Sequence, residues 1–530
     1  MARQPGKKHG LSRRKFLQAG AAGLAGSLIY RDSLFAATSG RDVSDIYHSL
    51  NGSPAQNVAK VFDMAYGGIE NFIGHNDVVL LRPNLQWPRN GYTNTEVGMA
   101  MIDLILNRPG GFSGEIIVIE DEHRGDPHTS SNSGWCTDNK LSNGPYNWFE
   151  LIQYYVDNAD AYPDGIHTDP VTGQINVSFQ FLQGSYSFSL ADPHPILTTY
   201  GGYSYAGANA LVGPEVDPFL LLKNDYPTKT CLYVRRSDLR YTSDIARIAP
   251  LNDEYYMSYP VFKSQHSGLY VSYYQGHSTA WDPQTESFTS QPVKLINMST
   301  LNHHGGYAGV TSIVKAHFGV VYGTFHNTGW PNGDPRTFHY AGGAIGYWMS
   351  TIRQPDLHMS CAERIGRTSR QESNALRAKA VAISADPVAL DYYVGKYILF
   401  PTGGTYGENG SHADLPDSND PSLPDGYYRL TLELCRDPLA DHSIINGTLD
   451  EQEMAVHLFE HAPGDIDSDG DVDLDDFQQM QACHEGADEP CAYECQAADL
   501  DRDGDVDTGD ATAFFDHLNG PDQPLASPSD

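Results

Sequence analysis

Basic residues are scarce in this sequence. Its 530 residues include 34 lysines and arginines against 67 aspartates and glutamates, which gives a formal net charge of −33 at pH 7. Nucleic acids and anionic membrane surfaces are bound mainly through clustered positive charge, so both are poor partners for this chain. Cations, basic proteins and neutral glycans stay open as partners.

Cysteine is also infrequent, and its spacing excludes several common sites. The seven cysteines are Cys136, Cys231, Cys361, Cys435, Cys483, Cys491 and Cys495. No two of them form a C-x-x-C pair, so an iron–sulfur cluster or a structural zinc site has little support. The sequence also lacks a G-x-S-x-G elbow, a Walker loop and an H-E-x-x-H helix. If the protein is exported, disulfides are allowed, and the expected pair is Cys483 with Cys491 or Cys495. Pairing among the other cysteines stays open.

Long apolar runs are missing as well. Beyond the N-terminus no stretch approaches the roughly 20 apolar residues that span a bilayer, so no membrane span is predicted. The N-terminus contains Arg13-Arg14 and continues into an Ala/Gly-rich apolar stretch that ends near Tyr30. This arrangement is typical of a twin-arginine export signal, here residues 1–37. The mature protein is therefore expected in the periplasm, on the cell surface or in the medium.

Acidic residues, in contrast, are concentrated in two repeated loops, 465–476 and 499–510. Each loop has aspartate at positions one, three, five, seven, nine and twelve and glycine at position six, as a calcium EF-hand loop requires. The predicted metal residues are Asp465, Asp467, Asp469, Asp471, Asp473 and Asp476, then Asp499, Asp501, Asp503, Asp505, Asp507 and Asp510. Position seven would bind through its carbonyl oxygen. The sequence thus predicts two Ca²⁺ sites.

A helix is predicted after each loop, and none is evident before the first loop. Apolar residues at helical spacing include Phe477 and Met480 in one copy and Phe514 and Leu518 in the other. A duplicated calcium loop with only its exiting helix resembles the type I dockerin repeat, and the resemblance covers 465–518. It implies a cohesin-like or other protein partner for a module at 461–520. Two features depart from the dockerin pattern: loop positions ten and eleven differ between the copies, and the spacer contains cysteines.

The body, residues 38–460, is predicted to have an α/β fold. Continuous apolar runs at 77–84 and 115–120 are typical of buried parallel strands, and a helix is predicted between them at 95–106. Further buried strands are predicted at 294–298 and 379–384. Other helices are predicted at 58–73, 311–318 and 387–398. The predicted architecture is a mixed, mostly parallel sheet with flanking helices. A turn-rich β insertion is expected at about 125–255, and a disordered tail at 521–530.

The body is similar to the domain-of-unknown-function family 362. The matching segments are 78–85, 115–120, 297–319 and Ala382-Ile-Ser-Ala-Asp-Pro-Val-Ala-Leu-Asp391, the most specific of the four. Members often have lysine where Arg82 stands. Some members carry ferredoxin-like cysteine clusters, which this chain lacks. The resemblance implies an α/β fold but no settled activity.

Candidate site residues follow the predicted strands, because ligands of open α/β sheets bind at the carboxyl ends of the strands. Asn84 follows the first strand. Glu120 and Asp121 follow the second, near His123, and could bind a metal or act as acid and base. Asp386 is expected to cap the helix at 387–398 instead of taking part in catalysis.

The third candidate is a glycine-rich segment before the helix predicted at 311–318. Gly305 and Gly306 would form a turn that offers N–H groups to an anion at the helix N-terminus. The other candidate residues of this segment are His303, His304, Thr311 and Lys315. Structural roles compete with each of these assignments, because glycines and histidines are also common in ordinary loops.

Two classes of function are consistent with these features. The body could be a metal-assisted enzyme acting on an anionic or sugar-derived small molecule. Alternatively, the chain could be a non-catalytic surface or assembly component, with a ligand-binding body and a docking tail. A deep cleft joining the candidate residues would favour the enzyme.

Overall fold

The chain divides into two compact units at Phe459 and Glu460, next to the predicted boundary. The computed structural model describes residues 43–85, 91–121, 146–182, 229–234, 255–273, 278–305, 309–317, 342–343, 345–351, 353–366, 375–402, 428–441, 445, 447–466, 471–484, 486–487, 495, 497–500, 505–518 and 520. The signal at 1–37, the tail at 521–530 and the side chains of Glu120, Asp121 and His304 lie outside this description.

A mixed α/β fold with a largely parallel central sheet forms the larger unit. Five strands run parallel in the order β12, β9, β2, β3, β4. Their bounds are β2 Val78–Pro83, β3 Glu115–Asp121, β4 Val177–Leu182, β9 Ser287–Ser299 and β12 Leu357–Ile365. All six residues of β2 are buried, as is usual for a strand inside a parallel sheet.

Further strands extend this sheet. Beyond β12 lie β13 Leu376–Ser384, β1 Ser44–Leu50 and β14 Met454–Glu460, in that order, and β12, β13 and β1 pair antiparallel. On the other side, the first part of β9 pairs with one of four further strands, and each of these pairs antiparallel with the next. These four strands are β5 Lys229–Val234, β6 Tyr255–Lys263, β7 Tyr270–Ser272 and β8 Thr279–Asp282. A separate hairpin consists of β10 Asn302–Gly305 and β11 Gly309–Thr311.

Seven α-helices are described in the larger unit. They are α1 Pro54–Tyr66, α2 Thr95–Leu106, α3 Trp148–Asp157, α4 Ile313–Ala316, α5 Ile345–Thr351, α6 Pro387–Val394 and α7 Tyr428–Asp441. The longest has 14 residues, and no helix in the described part of the chain has the length and apolar character needed to cross a membrane. The unit formed by β2, α2 and β3 confirms the predicted strand–helix–strand pattern.

Local capping explains where these helices begin. Ser53 and Gln56 form a reciprocal capping box at α1. The Asp386 carboxylate accepts hydrogen bonds from Val388 N at 2.9 Å and Ala389 N at 3.0 Å, so the predicted N-cap of α6 is confirmed. A proline follows each cap directly, where its missing N–H has no cost.

Part of the predicted insertion belongs to the main sheet, which corrects the boundary at 125–255. After β3 the chain forms α3 and then β4, and β4 pairs in parallel with β3. Within the described residues β4 pairs with β3 alone, which places it at the edge of the sheet. An edge strand is less completely covered than a central strand, so its alternating sequence resembled that of a separate β region.

The helix predicted at 311–318 is shorter than expected. Residues 309–311 form β11, and α4 covers only Ile313–Ala316. Thr311 pairs with Asn302 across the hairpin. Residues 302–305 and 309–311 are therefore paired strands of a β-hairpin and not the first turn of a helix, and Gly306 lies outside the described residues.

The C-terminal unit contains two helices of ten residues, α8 Leu474–Cys483 and α9 Thr508–His517. Its core consists of a few apolar side chains from both repeats. The buried members are Val472, Met480, Cys495, Ala498, Val506 and Phe514. A core of this size gives limited stability by itself, so small domains of this kind commonly need a disulfide or a bound metal.

Candidate functional site

Three aspartates of the first repeat form a carboxylate cluster. Asp471, Asp473 and Asp476 each direct an oxygen to a common region, with these oxygens within 4.8 Å of one another. Asp476 is 1% exposed, and its two oxygens accept hydrogen bonds from Ile466 N at 2.6 Å and Asp473 N at 2.8 Å. These bonds fix the carboxylate and leave lone pairs on both oxygens for a cation.

The second repeat reproduces this geometry. Asp505, Asp507 and Asp510 form the equivalent cluster. The Asp510 carboxylate accepts from Leu500 N at 2.6 Å and Asp507 N at 2.8 Å, the same two contacts at the same distances. Asp473 and Asp507 cap their helices with nearly identical backbone angles, φ −135° and −133°. The loops are therefore two copies of one structural unit.

The two repeats are joined by reciprocal hydrogen bonds. Gly486 N, after the first helix, donates to Val506 O in the second loop at 3.4 Å. Gly520 N, after the second helix, donates to Val472 O in the first loop at 3.1 Å. Each repeat therefore completes the loop of the other, and the rings of Phe477 and Phe514 pack 5.5 Å apart between them.

A disulfide adds a covalent link between the repeats. Cys483, the last residue of α8, is bonded to Cys495, whose Cα lies 5.3 Å from its own. Of the two partners expected for Cys483, the structure has Cys495. Cys491 lies outside the described residues.

The donor set is suitable for a hard metal ion. Besides the two clusters, the first aspartate of each loop is buried: Asp465 is 7% exposed and Asp499 is 0% exposed. Residues 461–530 contain 20 acidic side chains and one basic side chain, Arg502, so cationic side chains of this segment cannot balance the buried charge. A bound cation with oxygen ligands would balance it. Asp467, Asp469, Asp501 and Asp503 lie outside the described residues.

The structure gives two of the predicted body residues local structural contacts. Asn84 is 6% exposed, and its amide donates to Gly91 O at 3.4 Å, while its backbone pairs with Thr93. His303 is buried in β10, and its backbone N–H donates to Gly366 O beside β12 at 3.1 Å. Both contacts hold loops at the carboxyl end of the sheet.

The start of α4 is occupied by a buried carboxylate. Asp391 of α6 accepts a hydrogen bond from Val314 N at 2.7 Å and a short one from the Tyr428 hydroxyl. The sequence predicts that N–H groups at the start of α4 bind an anion. One of them, the Val314 N–H, already has the Asp391 carboxylate as its partner. Lys315 is half-buried in this helix, and its role as an anion contact stays a prediction.

A row of buried polar residues crosses the sheet, and sequence reasoning missed it. Arg82 of β2 is in register with Asn297 of β9, which is in register with His358 of β12. All three side chains are at most 1% exposed. Polar residues inside strongly apolar strands are unusual, and this was the signal in the sequence that could have identified them.

His317 lies beside this row. It follows α4, is 1% exposed, and its ring lies 5.9 Å from that of His358 and 5.6 Å from that of Trp348. Burial lowers the pKa of His358 to about 3. Burial, together with His358 and Arg82, lowers the pKa of His317 well below its usual value. Both imidazoles are therefore neutral at physiological pH.

Asp391 should make the free energy of unfolding depend on pH. Burial raises the pKa of this carboxyl from 3.8 to about 6, against the lowering effect of its hydrogen bonds. The native state keeps the proton to a higher pH than the unfolded chain, so stability falls as pH rises from about 4 to about 6. At roughly 1.4 kcal/mol per pKa unit, the loss is about 2–3 kcal/mol.

Asp391→Asn removes this titration and should flatten the curve over that range. Urea unfolding of both proteins at several pH values measures the difference between their free energies of unfolding. Other titrating groups, such as Asp386, are present in both proteins and do not contribute to that difference. An equally steep fall in the variant would show that Asp391 does not titrate there.

No protein-family model, curated protein or solved structure matches this chain.

Proposed function

We propose that the chain is an exported calcium-binding protein, in which a C-terminal dockerin-like module attaches an α/β body to a protein partner. The observation that carries the proposal is the pair of equivalent carboxylate clusters, each suited to a metal ion. Calcium is favoured over softer metals because all of the described donors are oxygens, with no histidine or cysteine among them.

Coupling between metal binding and folding supports a docking role. The module has a small core and many buried carboxylates, so calcium binding contributes directly to its folding free energy. Partner binding would then depend on calcium. The resemblance to the type I dockerin repeat favours a cohesin-like partner, although the residues at positions ten and eleven differ between the two loops. Leu474, at position ten of the first loop, is 70% exposed and available for contact.

Metal analysis of the natively exported protein tests this proposal. The purified chain should contain two calcium ions per molecule after dialysis against trace calcium, and none after EDTA. Zinc or magnesium in place of calcium would contradict the assignment, as would a chain that retains no divalent metal.

The body is proposed to bind a small molecule at the carboxyl end of its central sheet. A metal-assisted enzyme remains the second candidate, and the buried polar row beside His317 favours a body with a site of its own. Asn84 and His303 both have hydrogen bonds to neighbouring loops, whereas the side chains of Glu120, Asp121 and His304 lie outside the described residues.

Export is expected to depend on Arg13 and Arg14. The pair is an address read by a receptor and not a structural element, so replacing both with lysine should leave the precursor in the cytoplasm. Cell fractionation and immunoblotting of the native and variant precursors measure this. Arg3→Lys, outside the pair, is the matched control and should be exported normally. Normal export of the double variant would mean that the segment is not a twin-arginine signal.

A further inference from the structure

An open pocket lies at the amino end of the central sheet, opposite the end where the sequence predicts ligand binding. Its walls are the segment 106–111 at the end of α2, the segment 162–165 that follows α3, and His75, which precedes β2. Its volume is about 580 Å³. Small-molecule sites typically have volumes of roughly 300–1,000 Å³, so the pocket is large enough for a ligand.

Hydrogen bonds hold the walls of the pocket together. Gly111 O accepts from Arg108 Nη1 at 2.6 Å and from His75 Nδ1 at 2.9 Å, so the guanidinium and the imidazole lie side by side. Phe112 N donates to Asp164 O at 3.2 Å, which joins the second segment to the first. These bonds need no ligand, and a pocket that is formed in advance loses little free energy to ordering when a ligand binds.

The lining presents hydrogen-bond donors and acceptors together. Because a carbonyl oxygen only accepts, the contact with Gly111 places a ring proton of His75 on Nδ1, and in the neutral ring Nε2 is then an acceptor. Arg108 supplies only donors, two of which bind Gly111 O and Glu70 O. The exposed carboxylate of Asp164 only accepts. A ligand that suits this lining must therefore both donate and accept.

Carboxylates around the pocket disfavour an anionic ligand. Asp164 is part of the lining. Asp103 Oδ1 accepts from the hydroxyl of Tyr162, another lining residue, at 2.8 Å. Asp77 interacts electrostatically with Arg108. One guanidinium thus lies among three carboxylates, so an added negative charge would meet repulsion as well as attraction.

Tyr162 gives one wall an aromatic surface. Its ring is partly exposed and lies 5.5 Å from the ring of Tyr155. The hydroxyls of both tyrosines donate to Asp103 Oδ1, each at 2.8 Å, which fixes the ring of Tyr162 in place. An aromatic ring held in this way offers an apolar face beside the polar groups of the lining.

Glycines keep this part of the pocket free of other side chains. Gly110 and Gly111 have φ angles of +85° and +73°, which L side chains rarely adopt. A Cβ at position 110 would lie 3.8 Å from Arg108 Nη1, so a side chain there would start in contact with the guanidinium. The backbone conformation thus keeps that side of the guanidinium uncovered.

We propose that this pocket binds a neutral sugar. Each hydroxyl of a sugar both donates and accepts, which matches the donors of Arg108 and the acceptors of His75 and Asp164. The C–H face of a sugar ring would pack against Tyr162. This site goes beyond the proposed function, because it is separate from the calcium module and from the ligand site proposed at the carboxyl end of the sheet.

Saturation-transfer NMR of the full chain with glucose, galactose, mannose and xylose tests this proposal. At least one of the four sugars should bind at millimolar concentrations. The measurements are made in EDTA, where the calcium loops take no part, so a failure here leaves the calcium proposal unaffected. Inorganic phosphate is the anionic probe, and it should bind more weakly than that sugar.

The decisive variant is Asp164→Ala. It should weaken binding of that sugar about tenfold, the loss expected for one hydrogen bond to a charged group. Because the Asp164 side chain is exposed, the melting temperature should not change. A site for anions predicts the opposite sign, since removing a carboxylate would strengthen the binding of phosphate.

Asp160→Ala is the matched control. Asp160 is also exposed and lies four residues before Asp164, but it is not part of the lining. This variant should bind the sugar as the native chain does. Three results would overturn the proposal: a native chain that binds none of the four sugars at tens of millimolar, phosphate that binds more tightly than every sugar, or Asp164→Ala with undiminished affinity for the sugar.

Discussion

Replacing both Asp476 and Asp510 with alanine should leave the C-terminal unit unfolded at calcium concentrations that fold the native unit. Each carboxylate belongs to a cluster that could hold a metal ion, and it also accepts hydrogen bonds from two backbone N–H groups that close its loop. With free calcium at a thousandfold excess over the dissociation constant, one site contributes roughly 4 kcal/mol to folding and two sites roughly twice that. A unit with so small a core should not fold without this contribution.

Calorimetry of the full chain, with and without EDTA, measures this effect. The single variants should each retain one site and an intermediate transition temperature. Asp475→Ala is the matched control, since Asp475 is adjacent to Asp476 but exposed, and it should leave the transition unchanged. A double variant whose calcium-dependent transition equals that of the native protein would show that these carboxylates do not bind the ion.

Loss of the Cys483–Cys495 disulfide should also have a large effect on the stability of the C-terminal unit. The bond closes a loop across a sequence separation of 12 residues, and cross-linking a loop of this size removes unfolded-state entropy worth about 3 kcal/mol. Cys483→Ser together with Cys495→Ser should therefore destabilise the C-terminal unit by about this amount. Excess calcium should partly offset the loss, because calcium binds only the folded loops.

Chemical unfolding with calcium held constant measures this loss. Cys491→Ser separates the two pairings considered from the sequence, since it removes the alternative partner and leaves the observed bond intact. That variant should match the native protein. If it were instead as unstable as the double variant, Cys491 would be part of the bond in solution.

The two carboxylate clusters could be predicted from the sequence because the spacing that forms them is local. Twelve consecutive positions determine the ligands, the turn and the helix cap, so the clusters at Asp476 and Asp510 follow from spacing alone. The strand at 78–83 and the helix at 95–106 were predictable for the same reason, since their apolar patterns and flanking residues are continuous in the chain.

The polar row was not predictable in this way. Arg82, Asn297 and His358 are separated by 215 and 61 residues, and only strand register brings them together. His317 follows α4, which ends at Ala316, so helical spacing within this segment could not indicate where its side chain lies. Register and helix length are set by tertiary packing, which one sequence does not reveal.

Amide hydrogen exchange of the full chain, with and without calcium, tests whether calcium drives the folding of the C-terminal unit. If the two loops form one calcium-driven module, protection should appear together in α8 and α9 when calcium is added, and at Gly486 and Gly520, whose N–H groups join the repeats. Strands of the body, such as β2 and β9, should exchange equally in both conditions. Equal exchange of α8 and α9 with and without calcium would contradict the account.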